Sequence, residues 1–164
     1  MAGEVRFGIG YDSHRLVAGR PLVLGGVRVP HDLGLAGHSD ADVICHALID
    51  ALLGAAGLGD IGERFPDTDP RFKDANSLKL LEEVVGELGS RGLAPRQADL
   101  TLIAQRPKLG PYKGEIRRRL AAALGLAEGA VNVKATTGEG IGFIGREEGI
   151  ACLALAAVAP LASL

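Results

Sequence analysis

The run VICHALIDALL, residues 43–53, constrains this chain more than any other segment, because at helical spacing it is apolar on nearly every side. A helix of that kind has to lie inside a protein. Asp42, His46 and Asp50 recur at every fourth position and draw one polar line along it. Buried carboxylate and imidazole groups cost free energy unless they are paired or coordinated, so this line must meet partners from elsewhere in the chain. Ser39 or Asp40 is expected to cap the helix, which should run to about Leu53, with Gly54 and Gly57 near its end.

The rest of the chain has to cover that helix. Residues 4–12 alternate as a first strand, and PLVLGGVRVP reads as a hairpin-like excursion around Gly25 and Gly26. A loop is expected over residues 57–75, then a helix SLKLLEEVVGELGSRG capped by Asn76 or Ser77 and stopped by Gly92. DLTLIAQ, residues 99–105, reads as a buried strand broken by Pro107, and PYKGEIRRRLAAALG as a helix with Pro111 near its first turn. VNVKATT is the next strand. GIACLALAAVA also suits a helix, but the continuous apolar run between Gly149 and Pro160 favours a last strand, buried in a doubly covered sheet. The expected fold is α/β: a single-domain layer of about four main strands with helices packed on one face.

Length and composition agree with one unit. The 164 residues suit a single domain over 1–164, and a content of 47% hydrophobic but only 4% aromatic residues, with 24 Gly, calls for a close-packed core of Ala, Val, Leu and Ile. Such small residues also suit contacts between copies. A formal net charge of -2 argues against a nucleic-acid partner, which needs a basic stripe for phosphates. Cys45 and Cys152 lie far apart in apolar segments and read as buried reduced thiols. The first residues lack the pattern of a secretory or transit segment. The apolar run at the C-terminal end is shorter than the ~20 residues a membrane helix needs. A cytoplasmic protein without membrane association is expected.

Several segments carry candidate chemistry. Asp12 and His14 are two apart on a strand and share a face. With His46 they offer one oxygen and two nitrogens, a donor set that suits Zn²⁺ with a fourth position open, while Asp50 would orient a histidine from behind. A hydrogen-bonded core network of the same residues is the alternative. GDIGERFPDTDP is either a lid over a polyhydroxylated substrate, with Asp60 accepting from hydroxyls, or a solvated turn region. In AQRPKLGPY, held extended by Pro107 and Pro111, main-chain groups can read the edge of a base while Lys108 meets a phosphate; a plain strand-to-helix connection is the other reading. KATTGEGIGFIGREEG sets Thr136, Thr137 and Glu139 among glycines, a pattern for holding a diphosphate with Mg²⁺, although it is not a P-loop.

Taken in order, GIGYDSH, GHSDADVICHALIDALLGAAGLGDIG, FPDTDP, AQRPKLGPY, VNVKATT and GFIGREEGIA closely resemble the 2-C-methyl-D-erythritol 2,4-cyclodiphosphate synthase family over almost the whole chain. The resemblance implies an enzyme of the non-mevalonate isoprenoid pathway. Its substrate would be 4-diphosphocytidyl-2-C-methyl-D-erythritol 2-phosphate, whose 2-phosphate attacks the β-phosphorus, closing a cyclic diphosphate and expelling CMP. It implies Zn²⁺ on Asp12, His14 and His46, and Mg²⁺ or Mn²⁺ on Glu139 with the substrate phosphates; His38 and Thr137 would stabilise the reacting phosphates. Ser39 with Asp60, Ile61, Gly62, Phe65, Pro66, Asp67, Thr68 and Asp69 would face the methylerythritol. Ala104, Gln105, Arg106, Pro107, Lys108, Leu109 and Gly110, with Thr136 and Thr137, would form the cytidine side, and Gly138, Phe143 and Arg146 would complete the substrate set.

The family resemblance further implies a homotrimer with active sites between adjacent subunits, a lyase that releases CMP, and in some members an isoprenoid diphosphate on the trimer axis. Tyr11, Arg146 and Glu148 lie in the matching segments. Tyr11 stands where many relatives have Phe, and Ile141 where Leu is common. Two other readings share these residues: a metal-dependent phosphohydrolase, and a non-catalytic trimer that senses CMP or an isoprenoid diphosphate. Intact Asp12, His14, His46 and Glu139 count against the sensor.

Overall fold

A computed structural model describes residues 3–161, so the domain expected over 1–164 extends slightly beyond the described residues at both ends. Its centre is a five-stranded mixed sheet. Strands β1 (Arg6–Ala18), β4 (Leu33–Leu35), β5 (Leu93–Ile103), β6 (Val131–Thr136) and β7 (Gly149–Pro160) lie in the order β4-β1-β7-β5-β6. β7 runs antiparallel to both β1 and β5, and β6 is parallel to β5. The expected α/β layer of four main strands is thus present, with short β4 added at one edge. The expected hairpin is a separate ribbon, β2 (Leu22–Leu24) and β3 (Val27–Val29), turning at Gly25 and Gly26. Both glycines have positive φ, 59° and 75°, as a tight two-residue hairpin requires.

Helix α1 (Val43–Ala56) lies on β1 and β7, and all of its residues except His46, Asp50, Gly54 and Ala56 are buried. The approach is close because β1 has no side chains in the way. A Cβ on Gly8 or Gly10 would overlap the Ala51 or Ala47 carbonyl of α1. Leu48, Leu52 and Leu53 are fully buried, so truncating one to Ala costs about 2–5 kcal/mol.

Two details of α1 differ from expectation. Its N-cap is Asp42, not Ser39 or Asp40, and it ends at Gly57 in the left-handed conformation rather than at Leu53. Asp42 also accepts from the Gly25 and Gly26 amides at 2.9 and 2.7 Å, pinning the hairpin turn to the helix start. Burial raises its pKa, the nearby Asp40 charge adds to this, and the backbone donors oppose it.

Helices α3 (Ser77–Ser90, capped by Asn76) and α4 (Lys113–Leu124) complete the covered side. The region expected as a loop over 57–75 contains a short helix α2 (Ile61–Arg64), capped by Asp60, and one 3-10 turn (Pro70–Phe72), capped by Asp69. Among the described residues, nothing covers the opposite sheet face. Phe7, Ile9, Tyr11, Leu153 and Leu155 stand exposed there, so β7 is not doubly covered within one chain. Cys45 and Cys152 are free and buried, and burial raises both thiol pKa values. Among the described residues no helix is long and apolar enough to cross a membrane.

Candidate active site

The alternation of β1 builds the first half of the site. Gly8, Gly10, Asp12 and His14 face α1, so once the two glycines admit the helix, Asp12 and His14 come against His46. Asp12 Oδ2 lies 2.7 Å from His14 Nε2 and 3.1 Å from His46 Nδ1, and the two ring nitrogens are 3.1 Å apart. Among the described residues this is the one group of three or more potential ligands brought together.

Hydrogen bonds behind the rings decide which nitrogens face inward. His14 Nδ1 is 2.8 Å from the Ala36 carbonyl, which can only accept, so His14 donates there and turns the Nε2 lone pair toward Asp12. His46 Nε2 is 2.8 Å from Ser77 Oγ, whose own proton goes to the Asp40 carboxylate. His46 therefore donates from Nε2 and directs the Nδ1 lone pair inward. Two lone pairs and a carboxylate oxygen, all within 4.8 Å, repel one another unless a cation or proton sits among them. One oxygen and two imidazole nitrogens suit a divalent metal such as zinc. Burial would raise the Asp12 carboxyl, but bonds and charge from His14 and His46 hold it down to about 2. Burial would lower the His14 pKa, and the Asp12 contact overcomes that and raises it.

Asp50 does not orient a histidine. It accepts from the Ile61 amide at 2.8 Å and so ties α2 to α1, because Asp50 lies one turn beyond His46 toward α2. Asp42 likewise leaves the polar line to cap its own helix. Sequence reasoning did not find Ala36 and Ser77 as the groups behind the rings; Ser77 entered it only as a cap alternative.

A cavity of about 400 Å³ opens beside the cluster. His14, His38, Ser39 and His46 meet Ile61, Gly62, Phe65, Pro66 and Asp67 there, together with Phe72 and Leu80, which sequence reasoning did not name. His38 Nε2 donates to the Asp69 carbonyl at 3.0 Å, which fixes the ring between loop and strand end. The Asp69 carboxylate is bound by Arg71, with bonds of 2.6 to 3.1 Å, and Asp60 Oδ1 accepts from the Glu63 amide at 2.9 Å. Thr68 lies between these two groups in the loop without lining the cavity.

The second half of the expected site forms elsewhere. Ala104, Gln105, Pro107, Lys108, Leu109 and Gly110 line a cavity of about 360 Å³ with Thr136 and Thr137. Arg106 lines an adjoining cavity that adds His31 and Asp32. Residues 105–107 bend and Gly110–Tyr112 form a 3-10 turn, so this segment turns rather than staying extended. The two principal cavities share no lining residue within one chain.

The glycine-rich run closes on itself more than its composition suggests. The amides of Glu139, Gly140 and Ile141 donate to Thr137 Oγ1, Gln105 Oε1 and the Gly138 carbonyl, so they do not form an open phosphate cradle. Thr137 Oγ1 accepts from Glu139 and keeps its own proton to donate outward. Glu139 is exposed at φ 53° and lies outside the Asp12, His14 and His46 cluster. Phe143 lies within the short helix α5 (Gly142–Gly145) and shares a small cavity with His14, whereas Arg146 pairs with Glu148 at 2.9 Å.

The matches to known proteins cover the same span. Residues 5–159 match the YgbB family. A protein of Salinibacter ruber named 2-C-methyl-D-erythritol 2,4-cyclodiphosphate synthase is 61% identical over 92% of this chain and 96% of its own length. One of the same name from Symbiobacterium thermophilum is 60% identical over 93% of this chain and 97% of its own. A solved structure of a 2C-methyl-D-erythritol-2,4-cyclodiphosphate synthase, described as its CDP-bound form, superposes with a TM-score of 0.86 at 40% identity, covering 93% of this chain and 99% of that one. By sequence and by fold, this chain belongs to the YgbB family.

Proposed function

We propose that this chain is a 2-C-methyl-D-erythritol 2,4-cyclodiphosphate synthase of the non-mevalonate isoprenoid pathway. It converts 4-diphosphocytidyl-2-C-methyl-D-erythritol 2-phosphate to the cyclic diphosphate and CMP. An oxygen of the 2-phosphate forms a bond to the β-phosphorus, and the bond from that phosphorus to the bridging oxygen of CMP breaks. No water is consumed and no protein nucleophile is needed, which makes the reaction a lyase step. The observation that carries this reading is the inward convergence of Asp12, His14 and His46 on the wall of a cavity that also holds His38 and Ser39.

Asp12, His14 and His46 would hold Zn²⁺, and Glu139 with the substrate phosphates would hold Mg²⁺ or Mn²⁺; bound there, the ions would supply positive charge against the phosphoryl oxygens. The chain's own residues position the reactants. His38, anchored by the Asp69 carbonyl, faces the reacting phosphates, and the outward hydroxyl proton of Thr137 donates to a phosphate oxygen. Ser39, Asp60, Ile61, Gly62 and the stretch 65–69 hold the methylerythritol. The cytosine enters between Ala104–Gly110 and Thr136–Gly138, where main-chain groups read its edge and Lys108 meets phosphate. Phe143, which shares a cavity with His14, and Arg146 complete the substrate set.

The active assembly is a homotrimer. The uncovered sheet face with Phe7, Ile9, Tyr11, Leu153 and Leu155 needs a partner, and the separate cavities leave each half-site to be completed by a neighbouring copy. An isoprenoid diphosphate on the trimer axis belongs to the same reading, with Tyr11 exposed on that apolar face.

The test is to supply the cytidine diphosphate substrate with Zn²⁺ and Mg²⁺ and follow products by phosphorus NMR. Equal amounts of CMP and cyclic diphosphate are expected. Linear phosphate products would identify a phosphohydrolase instead, and absence of turnover with both metals present would remove both enzymatic readings.

A further inference from the structure

We infer that Asp40 and Ser77 form a positioning relay that sets the tautomer of His46 and thereby decides which of its nitrogens binds metal. The inference rests on the metal reading of Asp12, His14 and His46. Its physical basis is the direction of a buried chain of hydrogen bonds. Asp40 accepts from the Ser77 amide at 3.0 Å through Oδ2, and its Oδ1 accepts from the Asp42 amide at 3.1 Å and from the Ser77 hydroxyl. A carboxylate has no proton to give, so the single proton of Ser77 Oγ is committed to Asp40. Only acceptor capacity then remains on Ser77 Oγ. His46 Nε2, 2.8 Å away, must donate to it, and Nδ1 is left unprotonated toward Asp12.

Ser77 is fully buried, so water does not offer a competing partner. Ser39 adds to the same arrangement. With the Ser77 proton on Asp40, the Ser39 hydroxyl donates to Ser77 Oγ at 3.4 Å and accepts from the Ala41 amide, so only acceptor capacity faces His46 Nε2, 3.2 Å away. The relay also joins the metal centre to the start of α3. The Asp40 amide donates to the Ala75 carbonyl, and the Asp74 amide to the His38 carbonyl, so residues 74–77 are held against 38–40 beside the cavity. Ser77 is thus a positioning residue that touches neither substrate nor metal.

The experiment compares wild type with Ser77→Ala and Asp40→Asn by chelator competition for Zn²⁺ and by two-bond ¹H–¹⁵N correlation of the His46 ring in zinc-free protein at mildly alkaline pH. Wild type is expected to show the Nε2–H tautomer alone. Both variants should show mixed tautomers and bind Zn²⁺ about 10–100-fold more weakly, the usual cost of losing a partner behind a ligating histidine. A purely structural role would lower the melting temperature without moving the tautomer. Variants that keep the single tautomer, with zinc affinity within about twofold of wild type, overturn the relay. If Ser77→Ala does not fold, Asp40→Asn decides alone. Wild type that takes up no Zn²⁺ at the three ligands overturns the metal reading itself, whereas normal wild-type binding with unaltered variants overturns only the relay.

Discussion

The metal cluster and the cavity walled by residues 104–110 and 135–137 are both concave and similar in size, yet they are built in opposite ways. The cluster takes its ligands from the middle of β1 and from α1, two long elements in direct backbone contact, and each histidine ring is held from behind by a named acceptor. The other cavity is made from a turn, a strand end and an exposed Lys108, with Glu139 exposed beside it. Rigid elements can preorganise side-chain ligands within one chain. A wall of turns and main-chain groups is only one side of a site, and in the proposed trimer it gains its second side from ligand and from a neighbouring copy.

The largest expected effect comes from breaking the preorganised half. His46→Ala should lose its zinc and more than about 10³-fold of turnover while staying folded, checked by metal analysis beside a thermal melt. Full activity in the zinc-free variant would remove the metal assignment. Leu155→Asp places a charge on the open sheet face and should dissociate the proposed trimer, with most turnover lost but the zinc content of each chain retained. Sedimentation velocity reads the assembly, and an unchanged trimer would show that this face is not the interface. Thr137→Val should lower kcat about 10²-fold with zinc affinity unaltered, since it removes the donated hydroxyl proton together with the acceptor of the Glu139 amide. Lys108→Ala should weaken CDP binding about tenfold at low ionic strength and less at high salt, as befits an exposed phosphate contact measured by calorimetry.

The same contrast explains what could be read from residues alone. Period-two alternation places Asp12 and His14 on one face, and the near-uniform apolarity of residues 43–53 places His46 in the interior; together they yield the cluster without a structure. Periodicity misleads at helix ends, however. Asp42 fits the i, i+4 line with His46, but as the N-cap its side chain curls back to amides of its own first turn and of Gly25 and Gly26. Asp50 fits the line too and points to Ile61 instead.

Ser77 lies 31 residues beyond His46, and nothing in its spacing announces the contact. The residues proposed to face cytidine stand out in the sequence as a segment between Pro107 and Pro111, but only the family resemblance favours base reading there over a plain strand-to-helix connection, because main-chain recognition leaves little trace in side-chain identity. The apolar run of β7 signals burial but does not reveal whether the cover comes from the same chain or from a copy. Leu153 and Leu155 show that here it is not the same chain.

The central claim is that hydrogen bonds to Ala36 and Ser77 prearrange a metal centre with defined donor atoms. Anomalous diffraction at the zinc edge from crystals of the zinc-loaded protein tests this most directly. The account predicts one zinc per chain bound by Asp12, His14 Nε2 and His46 Nδ1, with nitrogen distances of about 2.0–2.1 Å. A zinc bound elsewhere, or through His46 Nε2, would contradict it.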